Sequence, residues 1–221
     1  MKIIQFRFTK SLKVNKNNLI LSFLFLLLSY FGNAQGLKIK KTNSGIFSLG
    51  ARSTTSLFND SQTDNFGTGV GGQFRLQVSD RVNTDWFADY LTGSIGTIAN
   101  RNDYHIGWSV LYYPWLKEKQ IVKPYFLAGH CFDYSKLQEN ANSANSAQRW
   151  SSAVQAGIGT HFNLNERMDL SLTSQYMIHL GNHIDPEING NTLDFHYEKG
   201  VSLEGHLLIT VSLNFKIADL W

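Results

Sequence analysis

Three residues in the first half of the chain are of types that could work together in proton chemistry: Arg75 and the carboxylates Asp85 and Asp89. Two acids around one site can act as general acid and general base, and an arginine set between them makes a structural ion-pair network equally well. A second group lies further on, with His179, His183 and Asp185. Imidazole and carboxylate together suit zinc, but a structural site wants four ligands in fixed geometry. The i, i+4 spacing of His179 and His183 converges only on a helix, so solvated loop polars and a core histidine are the simpler account. Gly67, Gly69, Gly71 and Gly72 form no phosphate cradle, because no helix follows to supply an N-terminus. Cys131 is the single cysteine and reads as a small packed side chain. No metal and no cofactor are expected.

Whether Arg75, Asp85 and Asp89 meet depends on the elements that carry them, and the chain states those through its periodicity. In the segment 201–215, Val201, Leu203, Gly205, Leu207, Ile209, Val211, Leu213 and Phe215 alternate with Ser202, Glu204, His206, Thr210, Ser212 and Asn214. A period of two gives an extended strand with one apolar and one polar face. The polar face carries a carboxylate and an imidazole that a soluble core would not bury unpaired, so the apolar face is the one that suits lipid.

The same alternation recurs along the chain upstream. Segment 66–78 sets Phe66, Thr68, Val70, Phe74, Leu76 and Val78 against Gly67, Gly69, Gly71, Gln73, Arg75 and Gln77. Successive inward glycines leave room for long inward side chains of neighbouring strands. Strands are expected at 45–57, 66–78, 84–97, around 104–113, and at 124–134, 149–162, 168–180 and 201–215. In the third, Asp85 and Asp89 point inward with Phe87 and Leu91 on the same face. The fifth has apolar residues on both parities, and its faces stay unassigned. Short connections at 79–83 and 163–167 oppose longer polar ones at 59–65, 135–148 and 182–199, the asymmetry of barrels with short periplasmic turns and long outside loops. The connection at 115–123 is long for that scheme, and the one at 99–102 is short.

The first 34 residues are an export leader. Lys2, Arg7, Lys10, Lys13 and Lys16 precede an apolar run from Leu19 to Phe31 and the small-residue site Gly32-Asn33-Ala34. That run is short of the ~20 residues of a spanning helix. The organisation expected is a cleaved signal peptide over 1–34, a periplasmic lead-in over 35–44 and a barrel over 45–221. The leader holds five of the 20 basic residues, so the mature chain, with 17 acidic residues, is near neutral. It has no basic stripe interleaved with aromatics, which excludes nucleic acid as a partner.

With this leader, the alternating strands, the stretch Lys123-Pro124-Tyr125-Phe126-Leu127-Ala128-Gly129 and the closing strand from Leu207 to Phe215, the chain resembles the small eight-stranded outer-membrane barrels of Gram-negative bacteria, the OmpX-like or outer membrane protein β-barrel domain families; its Ala34-Gln35 junction looks like those of Bacteroidetes. The resemblance implies an all-β, antiparallel, up-and-down transmembrane barrel with short periplasmic turns, in contact with outer-membrane lipid and lipopolysaccharide. It also implies an assembly signal at Val211, Leu213 and Phe215 for the barrel assembly machinery, although the chain continues to Trp221. Outward aromatics should gather at two girdles, with Trp86, Tyr112, Phe162 and Phe215 toward the periplasm and Phe66, Tyr104 and Trp150 toward the exterior.

Eight strands enclose a lumen that side chains can fill, so the expected interior is a polar plug: Arg75 between Asp85 and Asp89, joined by Arg52 and Glu204 where the first and last strands close. A turn centred on Arg81 would set Gln73 opposite Asp89 and Gln77 opposite Asp85. The resulting expectation is a non-enzymatic barrel that presents its outer loops to a surface, a protein or lipopolysaccharide. The alternative is a lipid A deacylase. The stretch from His179 loosely resembles the His-x-Ser-Asn motif of such barrels, but Gly181 stands where the nucleophilic serine belongs, and His179 shares the inner face of Asp169 and Gln175. A soluble, lipocalin-like barrel would need the opposite facing throughout.

Overall fold

A computed structural model describes residues 44–58, 66–115, 120–190, 192–202 and 205–221. Nine strands lie among them: β1 (Ile46–Phe58), β2 (Phe66–Ser79), β3 (Val82–Ile95), β4 (Ala99–Tyr112), β5 (Val122–Glu139), β6 (Ser146–Asn163), β7 (Met168–Asn189), β8 (Thr192–Ser202) and β9 (Gly205–Asp219). β1 to β7 pair in sequence order, every pair antiparallel, and β9 pairs with both β7 and β1. β8 pairs with the upper part of β7 and β9 with the lower part, so β8 and β9 are successive lengths of one stave. The result is a closed eight-stranded antiparallel barrel, which leaves no sheet edge unpaired around the ring.

The facing is inverted relative to a soluble barrel. On β2, Phe66, Val70, Phe74 and Val78 are exposed while Gln73, Arg75 and Gln77 are buried. On β9, Ile209 and Val211 are exposed while His206, Thr210, Ser212 and Asn214 are buried. Trp108, Val154 and Leu172 point away from the axis and Gln155 toward it. A belt of exposed aliphatic and aromatic side chains around a wall with no free backbone groups is soluble in hydrocarbon and not in water.

Strand β5 places Tyr125, Leu127, Cys131, Asp133, Ser135 and Leu137 inside, with Phe126 and Phe132 outside. The lumen therefore holds apolar groups as well as polar ones. Phe87, Leu91, Cys131, Ala153, Met177 and Leu208 form one buried cluster, and Leu111, Tyr113, Tyr125 and Leu127 a second.

Two expectations are corrected. The β2–β3 turn is tighter than one centred on Arg81, with a bulge between Gln77 and Ser79, and it sets Gln73 opposite Phe87, Arg75 opposite Asp85 and Gln77 opposite Asn83. The polar segments at 135–148 and 182–199 are largely strand. β5 and β6 stay paired out to Gln138 and Ser146, and β7 and β8 continue as a two-stranded ribbon to Asn189 and Thr192. The segment 59–65 lies outside the described residues, as do residues 116–119 and Glu204.

Candidate functional site

The lumen is crossed by side chains from opposite staves. Arg75 reaches from β2 to β7, where its Nη1 lies 3.1 Å from Asp169 Oδ1 and its Nη2 donates to Ser171 Oγ at 3.3 Å. Its Nε is 3.9 Å from Asp85 Oδ1 on β3. Asp169 Oδ1 also accepts from Asn214 Nδ2 at 2.9 Å, and Asn214 Oδ1 accepts from Gln73 Nε2 at 2.6 Å. The guanidinium fork fits this arrangement because it offers several donors in one plane.

Asp89 turns instead to β1. Arg52 Nε stands 3.1 Å from Asp89 Oδ1, and its guanidinium carbon lies 4.3 Å from the centre of the Phe87 ring. Thr54 Oγ1 donates to Asp89 Oδ2 at 3.4 Å. Of the five residues expected in the interior network, Arg75 thus meets Asp85, Arg52 meets Asp89, and Glu204 lies outside the described residues.

A third buried carboxylate, Asp133, gathers the largest set of partners. His105 Nε2 is 3.1 Å from Oδ1; His179 Nδ1 and Arg149 Nη2 are 3.3 and 3.8 Å from Oδ2. Ser135 and Ser151 hydroxyls donate to the same Oδ2 at 3.2 and 3.3 Å. His206 stacks against this group, its ring centre 4.8 Å from that of His179 and 5.7 Å from that of His105. Asp133 sits on the strand whose faces the sequence left open, so its place inside was not legible. Asp169 belongs to an inward set that was legible, and its alternation with Ser171, Thr173 and Gln175 was the signal that it faces the lumen.

Ser151, His179 and Asp133 form no acyl-transfer relay. Ser151 Oγ lies 3.0 Å from His179 Nδ1, and Asp133 engages that same nitrogen. A catalytic triad needs acid and nucleophile on opposite ring nitrogens. All three groups are buried in the lumen, away from any lipid ester. Side chains at 182, 183 and 185 are outside the described residues, and among the described residues no group of histidine, cysteine and carboxylate is arranged to hold a metal ion.

At the end where β5–β6 and β7–β8 extend, a further apolar group forms. Ile95, Ala99, Leu137 and Leu193 are buried together, with Ile98 and Phe195 packed on them. Asn145 Nδ2 donates to the Leu193 carbonyl at 2.7 Å, tying the β7–β8 ribbon to the β5–β6 turn.

On the outer wall, Phe66, Trp86, Tyr104, Tyr112 and Trp150 are exposed, and Phe162 and Phe215 are half-buried. Neighbouring rings form ladders across strands. Tyr90, Tyr104, Tyr134 and Trp150 follow one another at centroid separations of 5.0, 5.9 and 4.8 Å. Phe47, Phe74, Trp86 and Trp108 do so at 5.9, 5.9 and 6.2 Å.

No protein-family model matches the chain, and no curated protein sequence matches it. Solved structures do. Neisserial surface protein A (NspA) superposes with a TM-score of 0.56 at 13% identity, over 77% of this chain and 97% of that one. The outer membrane protein OprG from Pseudomonas aeruginosa gives 0.52 at 16% identity, over 79% and 96%. A major outer membrane protein from Thermus thermophilus gives 0.52 at 8% identity, over 76% and 98%. At these identities the likeness establishes the fold. Fold and lipid-compatible surface together make this chain a transmembrane β-barrel of the outer-membrane type.

Proposed function

We propose that the protein is a non-enzymatic barrel of a Gram-negative outer membrane, exported by the leader at 1–34 and working through the surfaces it displays outside the cell. The observation that carries this reading is the inversion of facing: Arg52, Arg75, Asp89, Asp133 and Asp169 are buried around the axis, while Trp150, Ile106 and Val70 are among the most exposed side chains. In this reading residues 35–44 lead into the barrel from the periplasm, and the short turns at 79–83 and 163–167 face that compartment. The two extended ribbons, β5–β6 and β7–β8, then project outward. Recognition commonly sits on segments held by a rigid scaffold. The β7–β8 ribbon offers exposed Tyr197 and Ile188 beside the His196–Glu187 contact of 3.0 Å, a surface suited to lipopolysaccharide, another cell or an external protein.

Val211, Leu213 and Phe215 on the outer face of β9 serve in this account as the assembly signal, and the aromatic ladders as the two girdles that fix the barrel's height in the bilayer. The lumen is a plug. Ion pairs, apolar clusters and the buried group that includes Leu193 support a closed interior, as expected for a barrel of eight staves.

The decisive experiment is fractionation of cells expressing the full chain, with boiled and unboiled samples compared on a gel. The protein is expected in the outer-membrane fraction with a mobility that changes on boiling; a soluble protein of unchanged mobility overturns the reading. In planar bilayers the purified barrel is expected to give no stepwise ion conductance. Mass spectra of lipid A from cells with and without the protein are expected to coincide, and a lost acyl chain would restore the deacylase.

A further inference from the structure

The outer wall is not uniformly convex. Near the end with short turns, a groove of about 400 Å³ runs along it between Trp115, Pro124, Phe126, Ile158, Leu172 and Ser174. It forms because small side chains, Ser174, Thr160 and the ring of Pro124, lie side by side on three neighbouring staves: Thr160 pairs with Pro124 on one side and Leu172 on the other, and Ser174 pairs with Ile158. The bulkier Phe126, Ile158 and Trp115, all more than half exposed, rise around them. Trp115 sits just past the end of β4, so its indole stands at the mouth.

Three further observations say what fills it. The Ser174 side chain lines the groove and has no hydrogen-bond partner among the described residues, and a bare hydroxyl in hydrocarbon is costly. Arg81 lies at the same end, donating from Nη1 to the carbonyl of Pro114 at 3.1 Å, with no carboxylate partner among the described residues. A guanidinium has five N–H donors, so most of its donors remain available to an anion. Ser174 lies six residues into β7 from Met168, and Thr160 three residues from the end of β6. At ~3.3 Å per residue and a tilt near 40° they stand roughly 8 to 15 Å in from the turn, the depth at which a lipid's headgroup gives way to its chains.

We propose that this groove is a binding site for one diacyl phospholipid of the periplasmic leaflet. The acyl chain occupies the apolar trough, the ester carbonyl accepts a hydrogen bond from Ser174, and the phosphate meets Arg81. The proposal rests on the membrane reading given above and on the orientation that puts the short turns in the periplasm. An acyl chain is the occupant that fits an apolar trough on a lipid-facing wall, since water would find almost no partner there. A phospholipid is favoured over lipopolysaccharide because the groove opens at the periplasmic end.

The test uses the full mature barrel reconstituted in bilayers of ester-linked phosphatidylethanolamine and its ether-linked analogue in equal amounts, with lipid retention read by native mass spectrometry. Wild type is expected to keep one phospholipid, preferring ester over ether about three- to tenfold, the range that one net hydrogen bond supplies. Ser174→Ala should retain lipid but lose that preference, Ser174→Phe should fill the trough and lose the lipid, and Arg81→Gln should reduce retention of either form. Boiled and unboiled mobility of each variant separates a lost site from a lost fold. No retained lipid, equal retention of ester and ether forms, a second copy of the chain in place of lipid, or stronger retention of lipid A in a parallel bilayer each overturns the proposal. If wild type inserts in bilayers and still keeps no lipid, only this inference fails; if it does not insert, the membrane reading fails with it.

Discussion

Arg75→Met is expected to lower the stability of the barrel by about 3 to 5 kcal/mol, the cost of removing one partner of a buried ion pair, read as a shift in the urea midpoint of tryptophan fluorescence in lipid vesicles. The guanidinium stands between Asp85 and Asp169 and also donates to Ser171. Without it two carboxylates face each other across the lumen, and the nearby Arg52 is already paired with Asp89. They must then take up protons or draw water to themselves. Arg75→Lys should recover only part of the loss, because an ammonium is a point charge and cannot span three partners set in different directions. Pairing Arg75→Met with Asp169→Asn should cost less than the two single losses together, since each removes the other's unpaired charge. An unchanged midpoint for Arg75→Met would mean that the arginine does not hold the staves together.

The inward placement of Arg75 was legible because alternation decides facing, and facing survives errors of register. The turn expected at Arg81 sets Gln73 opposite Asp89, while the observed pairing is with Phe87. The two differ by two residues, and an even shift returns every side chain to the same face of the sheet. What the shift does change is the partner: Arg75 gains Asp85 directly across the pair, and Asp89 is left to Arg52. Asp169, on the far side of the lumen, could be assigned to the interior but not to Arg75, because contacts across a barrel are set by closure and tilt rather than by neighbouring registers.

Asp133 was illegible for a different reason. Its strand has Leu127 and Cys131 on the inner parity and Phe126 and Phe132 on the outer, and a stave that lines an apolar layer inside while facing lipid outside carries no alternation over that length. In the segment 182–199, Leu193, Phe195 and Tyr197 alternate with Asp194 and His196, but the surrounding Asn, Asp, Glu and Gly residues give the stretch the composition of a loop. Beyond the bilayer a ribbon can carry polar side chains on both faces, so the lipid signature fades while the backbone pairing continues.

Gly71→Ala is expected to be among the most damaging single-methyl changes available to this chain, while Gly72→Ala, one residue on, is expected to be nearly silent. A Cβ on Gly71 would run into the Ala88 carbonyl oxygen and the Asp89 carboxylate, and would lie 3.0 Å from the Asp89 Cα. Two of these three atoms belong to the backbone of the neighbouring stave and cannot swing aside. The third is the carboxylate that pairs with Arg52. The methyl therefore has to push β2 from β3 or drive Asp89 off its partner, combining the 1–3 kcal/mol of overpacking with part of the cost of a broken buried pair, roughly 3 kcal/mol or more in all. Gly72 faces the other way, and a Cβ there would meet only the Gly50 carbonyl oxygen at 3.9 Å, an ordinary contact. Compared by urea midpoint and by the fraction of unboiled protein that runs in the folded form, the two variants separate the roles of neighbouring glycines. One makes room for an ion pair inside the barrel, and the other only lines its outer wall. Equal effects at both positions would show that backbone freedom, not space beside Asp89, is what glycine supplies along β2.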